Sequence, residues 1–198
     1  SKGMPTGIAA LIVTLQPILT NALSGPILNE KVTIKQWIGV LLGFTGAALV
    51  LGFDIGEKIP LPGFVATIIA LLAITFSTIW QKKLSNNLPL SVNNMNQALG
   101  GFVFHLVIIM FFVKPYINFS PTFLIAMSHQ IFLVSFGAFT ILMFLIKKNS
   151  ASKTVSIFFL IPATSALMAW FFLEESLTAT DILGFLITSI GVYIATRD

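Results

Sequence analysis

The stretch LQPILTNALSGPILNEKVT, Leu15 to Thr33, sets a proline inside an apolar run and a glutamate thirteen residues after it. The stretch LIPATSALMAWFFLEESLT, Leu160 to Thr178, does the same with Pro162 and Glu175. At an offset of 145 residues, 8–53 aligns with 153–198 without a gap and nine positions are identical. They include Pro17 with Pro162, Leu28 with Leu173, Glu30 with Glu175, Thr33 with Thr178, Gly39 with Gly184 and Gly46 with Gly191. Apolar residues coincide by chance in an apolar chain. Proline, glycine and glutamate do not easily coincide in register, so the two stretches read as copies of one unit.

How the copies lie relative to each other depends on what separates them. Apolar residues make up 56% of the 198 and charged residues 9%, against about 25% charged in an ordinary soluble domain. A bilayer core of about 30 Å takes about 20 mostly apolar residues per helix. Seven such runs occur, near residues 6–28, 34–53, 61–81, 95–113, 123–146, 154–173 and 179–196. Membrane-spanning strands would alternate polar and apolar residues over about ten positions. These runs do not alternate, so the expected fold class is an all-α polytopic membrane protein with seven transmembrane helices. The copies begin five helices apart, an odd number, and therefore cross the membrane in opposite directions. Inverted-topology repeats of this kind are the architecture of secondary transporters, whose halves rock about a site at the bilayer midplane.

Charge supplies an orientation. If the first helix starts on one side, that side carries Lys2, Lys58 and Lys114, and the other carries Lys31, Lys35, Lys82, Lys83, Lys147, Lys148, Lys153 and Arg197. Lysine and arginine concentrate on cytoplasmic loops, which places the C-terminus inside and the N-terminus of this chain outside, in a cytoplasmic (inner) or plasma membrane. Five of the seven acids, Asp54, Glu57, Glu174, Glu175 and Asp181, then lie outside. The net charge of +4 resides in these loops and calls for no nucleic acid.

The segments GMPTGIAALIVTLQPILTNALSGPILNEKVTIKQWIGVLLGFTGAALVLG and IKKNSASKTVSIFFLIPATSALMAWFFLEESLTATDILGFLITSIGVYI resemble the EamA-like family of the drug/metabolite transporter superfamily. The likeness covers the whole chain, is strongest over these two segments and is weak across 82–130. It implies a ten-helix fold of two inverted five-helix halves with both ends cytoplasmic, moving small metabolites such as amino acids, often outward. Seven helices correspond to the fourth through the tenth. Residues 1–53 would then end the N-terminal repeat with two helices, and 61–198 would form the C-terminal repeat with five. The chain would be a fragment or a truncated product, and a missing N-terminal three-helix segment would be one of its partners. One local departure is Glu174-Glu175-Ser176, where the family usually has Gly-Glu followed by a basic residue.

Residues able to carry transport are polar or helix-breaking groups at mid-span. Pro17 and Pro162 lack an amide hydrogen, so the carbonyls of Val13 and Phe158 lose their helical donors. Broken helices in a bilayer are tolerated where they line a cavity or pack against a neighbour. Helical spacing puts Thr14, Asn21 and Ser24 on one stripe and Gln16 and Thr20 on the next. Such groups form either interhelical hydrogen bonds or a substrate site. The matching stripe of the sixth helix is Phe159, Pro162, Ala166 and Ala169, flanked by Phe158 and Ser165, with Trp170 beside it. One hydrogen-bonding wall and one apolar wall suit an amphipathic solute. His105 is the ionisable side chain placed deepest in a span, either a substrate ligand, a proton relay or a donor to a neighbouring carbonyl.

The remaining repeated residues read as structural. Thr33 with Gln36, and Thr178 with Asp181, have the spacing of capping boxes. Glu30 and Glu175 then fall in interfacial turns, near the positive end of the following helix, with a gating ion pair as the other reading. Gly39, Gly43, Gly46, Gly184 and Gly191 form small-residue faces for close helix packing. The chain contains no cysteine, and no catalytic signature, metal-ligand cluster or cofactor motif appears, so no enzyme is expected. The expected partners are the lipid bilayer, a small-molecule substrate and, left open, a second copy in a homo-oligomer. The function expected is an alternating-access exporter of amino acids or drug-like amphipathic solutes. The alternative is a non-transporting truncated scaffold, which would need the glycines but no wet cavity.

Overall fold

The computed structural model describes residues 4–52, 59–85, 88–112 and 116–197. Lys2, Asp54, Glu57, Lys58 and Lys114, charges that bear on the orientation, lie outside the described residues. In chain order the helices are α1 (Thr6–Val13), α2 (Gln16–Leu28), α3 (Ile34–Leu51), α4 (Leu61–Ser85), α5 (Leu90–Phe112) and α6 (Pro121–Ser128). A π-helical stretch, His129–Ala138, leads into α7 (Phe139–Lys148). Then come α8 (Ala151–Ser156), a 3-10 turn (Ile157–Phe159), α9 (Leu160–Leu173) and α10 (Ala179–Thr196). Among the described residues they make seven apolar segments long enough to cross a membrane. Large apolar side chains cover their outer faces, among them Ile69, Phe102, Phe111, Ile125 and Phe171, which is the surface a hydrocarbon solvent requires.

Residues 1–82 and 149–198 make one compact unit, and residues 83–148 another. The first contains both copies of the repeat, and their backbones match at every punctuation mark. Asn29 and Glu174, 145 positions apart, are the two non-glycine residues with positive φ among the described residues, at 55° and 58°. Each ends its helix in the left-handed conformation that closes a C-terminus. Four residues on, Thr33 and Thr178 start α3 and α10 with reciprocal capping boxes to Gln36 and Asp181. The turns are therefore set by local backbone chemistry that the duplication preserved.

Helices α3 and α10 share the most extensive helix–helix packing in this unit. A Cβ on Gly39 would sit 2.6 Å from the Gly191 carbonyl oxygen, and one on Gly191 would sit 2.7 Å from that of Gly39. The pair Gly46 and Gly184 behaves alike, at 2.6 and 2.7 Å. Each copy's first glycine thus meets the other copy's second, the crosswise pairing that a two-fold axis generates. Only glycine lets the backbones approach so closely. Val40, Ala47, Phe159, Val192 and Ala195 fill the core around this crossing.

In the second unit the structure departs from the sequence reading in detail. Helix α5 begins at Leu90 rather than near residue 95. Its polar first turns lower the local hydropathy, but Asn93 Nδ2 reaches Met143 Sδ at 3.8 Å and Asn94 Nδ2 donates to Thr140 Oγ1 at 3.2 Å. The fifth span runs from Pro121 to Lys148 and contains the π stretch, where Ser135 Oγ donates to the Gln130 carbonyl five residues back, at 3.1 Å. The sixth span starts at Ala151, capped by Ser150, whose hydroxyl accepts from Lys153 N–H.

A candidate solute cavity between the repeated helix breaks

Both proline-bearing helices are interrupted at equivalent positions. Between α1 and α2 the chain tightens, with Leu15 N–H donating to the Ile12 carbonyl at 3.1 Å, three residues back. In the second copy the corresponding segment is the 3-10 turn before Leu160. Pro17 and Pro162 each follow by two or three residues and supply no N–H, which is why the α-helical ladder is not continuous there.

A cavity of about 710 Å³ lies against these breaks within the first unit. Val13, Thr14, Gln16 and Pro17 line it from one copy, and Phe158, Phe159, Ile161 and Pro162 line it from the other. Each residue of the first set is the 145-residue counterpart of one in the second, so the two copies offer the same four positions to one space. Ser165, Ala166 and Ala169 extend the second wall, and Val50, Leu51 and Ile74 contribute from α3 and α4.

The walls differ chemically. On the first, Thr14 Oγ1 donates to the Ala10 carbonyl at 2.7 Å, and Gln16 Nε2 donates to Thr78 Oγ1 at 3.1 Å. Thr78 in turn donates to the Ile74 carbonyl at 2.8 Å, so the Gln16 amide is held by a chain anchored on α4. The second wall is aromatic and aliphatic apart from Ser165, with Phe159 fully buried beneath Gly43. At the α9–α10 turn the cavity meets Glu175, the one ionisable side chain among its described lining residues. The volume falls in the range of small-molecule sites.

Of the candidate residues, Thr14, Gln16, Pro17, Phe158, Phe159, Pro162 and Ser165 meet at this cavity. Thr20, Asn21 and Ser24 are buried but lie outside its lining. Ser152 Oγ donates to Asn21 Oδ1, and Ser24 Oγ donates to the Thr20 carbonyl at 2.7 Å. Trp170 is exposed and lies outside the lining. His105 belongs to the second unit, is exposed, and places Nδ1 2.7 Å from the Gly101 carbonyl one turn back on its own helix. The sequence does not point to Thr78 as the partner of Gln16, nor to Val50, Leu51 and Glu175 as lining residues. A threonine in the apolar run of α4 was the available signal for the first, and the approach of α3 has none.

Residues 2–52 and 61–197 match the model of the EamA-like transporter family. The chain belongs to the EamA-like transporter family. It is 27% identical over 195 residues to the uncharacterized transporter YvbV of Bacillus subtilis, covering 93% of this chain and 61% of that protein. It is 22% identical over 202 residues to a protein of Salmonella typhimurium named a probable amino-acid metabolite efflux pump, covering 97% of this chain and 68% of that protein. A crystal structure at 17% identity superposes with a TM-score of 0.82 over 97% of this chain and 67% of that chain. The chain therefore spans about six tenths of the length of the first of these relatives. The EamA-like chain is thus a multi-pass membrane protein of a transporter family with the fold of that crystal structure.

Proposed function

We propose that this protein moves small amphipathic metabolites, amino acids with apolar side chains among them, outward across a cytoplasmic or plasma membrane by alternating access. The observation that carries the reading is the cavity lined by four repeat-related pairs of residues at two helix breaks. A site built from equivalent positions of inverted copies can be offered to either face by exchanging the conformations of the copies. Thr14 and Gln16 supply hydrogen bonds to the polar end of a solute, while Phe158, Phe159, Ile161 and Pro162 receive its apolar body. Thr20, Asn21, His105 and Trp170 are secondary candidates, whose contribution requires a conformation other than the one described. The name of the Salmonella relative supports an amino-acid solute and an outward direction. The distribution of lysines supports a cytoplasmic C-terminus.

The test is counterflow in proteoliposomes containing the chain, with radiolabelled phenylalanine and leucine as probes. Accumulation above protein-free vesicles, lowered by Gln16→Leu, is expected. No movement of either probe, with the protein folded and inserted, would contradict the amino-acid assignment.

A further inference from the structure

The two repeated glutamates hold different positions although their backbones match. Ala151 N–H, at the start of α8, donates to Glu30 Oε1 at 3.0 Å and Oε2 at 3.2 Å. The carboxylate of one copy therefore grips the first turn of the opposite copy's broken helix. Glu175 is exposed, lines the cavity and accepts no hydrogen bond among the described residues. Its repeat-equivalent target is the start of α1, since Ala151 corresponds to Thr6. There the N-cap is Pro5, and among the described residues no side chain caps the helix.

A second observation lies beside the occupied grip. Helices α2 and α8 pack together there, and Thr20 Oγ1 and Asn21 Nδ2 are buried in the first of them without a hydrogen-bond partner among the described residues. Orphaned polar groups of this kind are costly at full burial and call for a partner, which water would supply if this face opened. Thr20 is the repeat counterpart of Ser165, which lines the cavity on the other side.

We propose that Glu30 and Glu175 are alternating latches. Glu30 on Ala151 holds the α2–α8 face shut while the cavity is open toward Glu175. In the exchanged state Glu175 takes the first turn of α1, Glu30 releases α8, and Thr20 and Asn21 become wetted walls. The inference rests on the alternating-access reading and assigns the two positioning residues that select between its states.

The chain has no cysteine, so Thr20→Cys and Ser165→Cys can each be introduced singly into the full protein in lipid nanodiscs and timed with a fluorescent maleimide. Ser165→Cys is expected to react quickly and Thr20→Cys slowly. Adding Glu30→Ala is expected to speed Thr20→Cys by about tenfold and slow Ser165→Cys, the population shift that follows loss of a charge-assisted hydrogen bond. Adding Glu175→Ala, an exposed position whose removal leaves the described state intact, is expected to slow Thr20→Cys further.

Opposed changes at the two cysteines are the signature, since local loosening at Glu30 would speed Thr20→Cys alone. Unchanged rates, or loosening without the opposed change, would overturn the latch while leaving the cavity standing. An unreactive Ser165→Cys in the starting protein would overturn both.

Discussion

The α1–α3 and α8–α10 regions are the same backbone carrying two different chemistries. Both have a break before a proline, a left-handed residue at Asn29 or Glu174, and a capped restart at Thr33 or Thr178. At the cavity, however, Thr14 faces the role of Phe159, and Gln16 that of Ile161. Duplication kept the residues that bend and join helices and let the lining residues diverge. Geometry is thus shared by the halves, while recognition is divided between them.

The strongest challenge to the shared geometry is to crowd its axis. Gly46→Leu should lower stability by about 3 kcal/mol, the upper end for overpacking, because beside the Thr188 hydroxyl it would strike the Thr188 nitrogen and the Gly184 carbonyl oxygen, backbone of α10 that cannot swing aside. Unfolding followed by tryptophan fluorescence in detergent would report it. Gly191→Leu should do the same, and a large difference between them would break the two-fold symmetry of the crossing.

The divided recognition is sharpened by making the walls alike. Gln16→Ile gives the first wall the residue of the second and should reduce phenylalanine counterflow about tenfold, the net worth of one hydrogen bond to its solute. The folded protein should survive, since Thr78 keeps its bond to the Ile74 carbonyl. Equal loss from Ile161→Gln would show that the walls are not specialised.

A smaller effect separates the two capping boxes. Thr33→Ala and Thr178→Ala should each cost about 1 kcal/mol, with the larger loss at Thr33, whose box is half-buried while that of Thr178 is exposed. The smallest change lies in the second unit. A Cβ on Gly100 would meet nothing within 4 Å among the described residues, so Gly100→Ala should raise stability by less than about 1 kcal/mol through helix propensity. The same unfolding assay checks both.

Much of the fold was legible because membrane helices announce themselves by length and apolarity, and the duplication by its prolines, glycines and threonines. The proline-flanking stripes led to nine of the cavity's lining residues, Ala166 and Ala169 among them, since Pro17 and Pro162 disturb the backbone wherever they stand. Other features depend on tertiary partners. The start of α5 at Leu90 relies on Met143 and Thr140 receiving its asparagines. The π stretch leaves no mark in an apolar run. Local spacing relates Glu30 to the helix that follows it, α3, yet its carboxylate binds Ala151, 121 residues away. No local rule points across that distance.

The inversion of the copies is tested most directly at Lys31 and Ser176, exposed counterparts in the two turns. Each would be replaced singly by cysteine and challenged in intact cells with a membrane-impermeant maleimide. Labelling of Ser176→Cys from outside, and of Lys31→Cys only after the membrane is permeabilised, is the expected result. Both cysteines reacting from the same side would contradict the inverted repeat and with it the shared cavity as an alternating site.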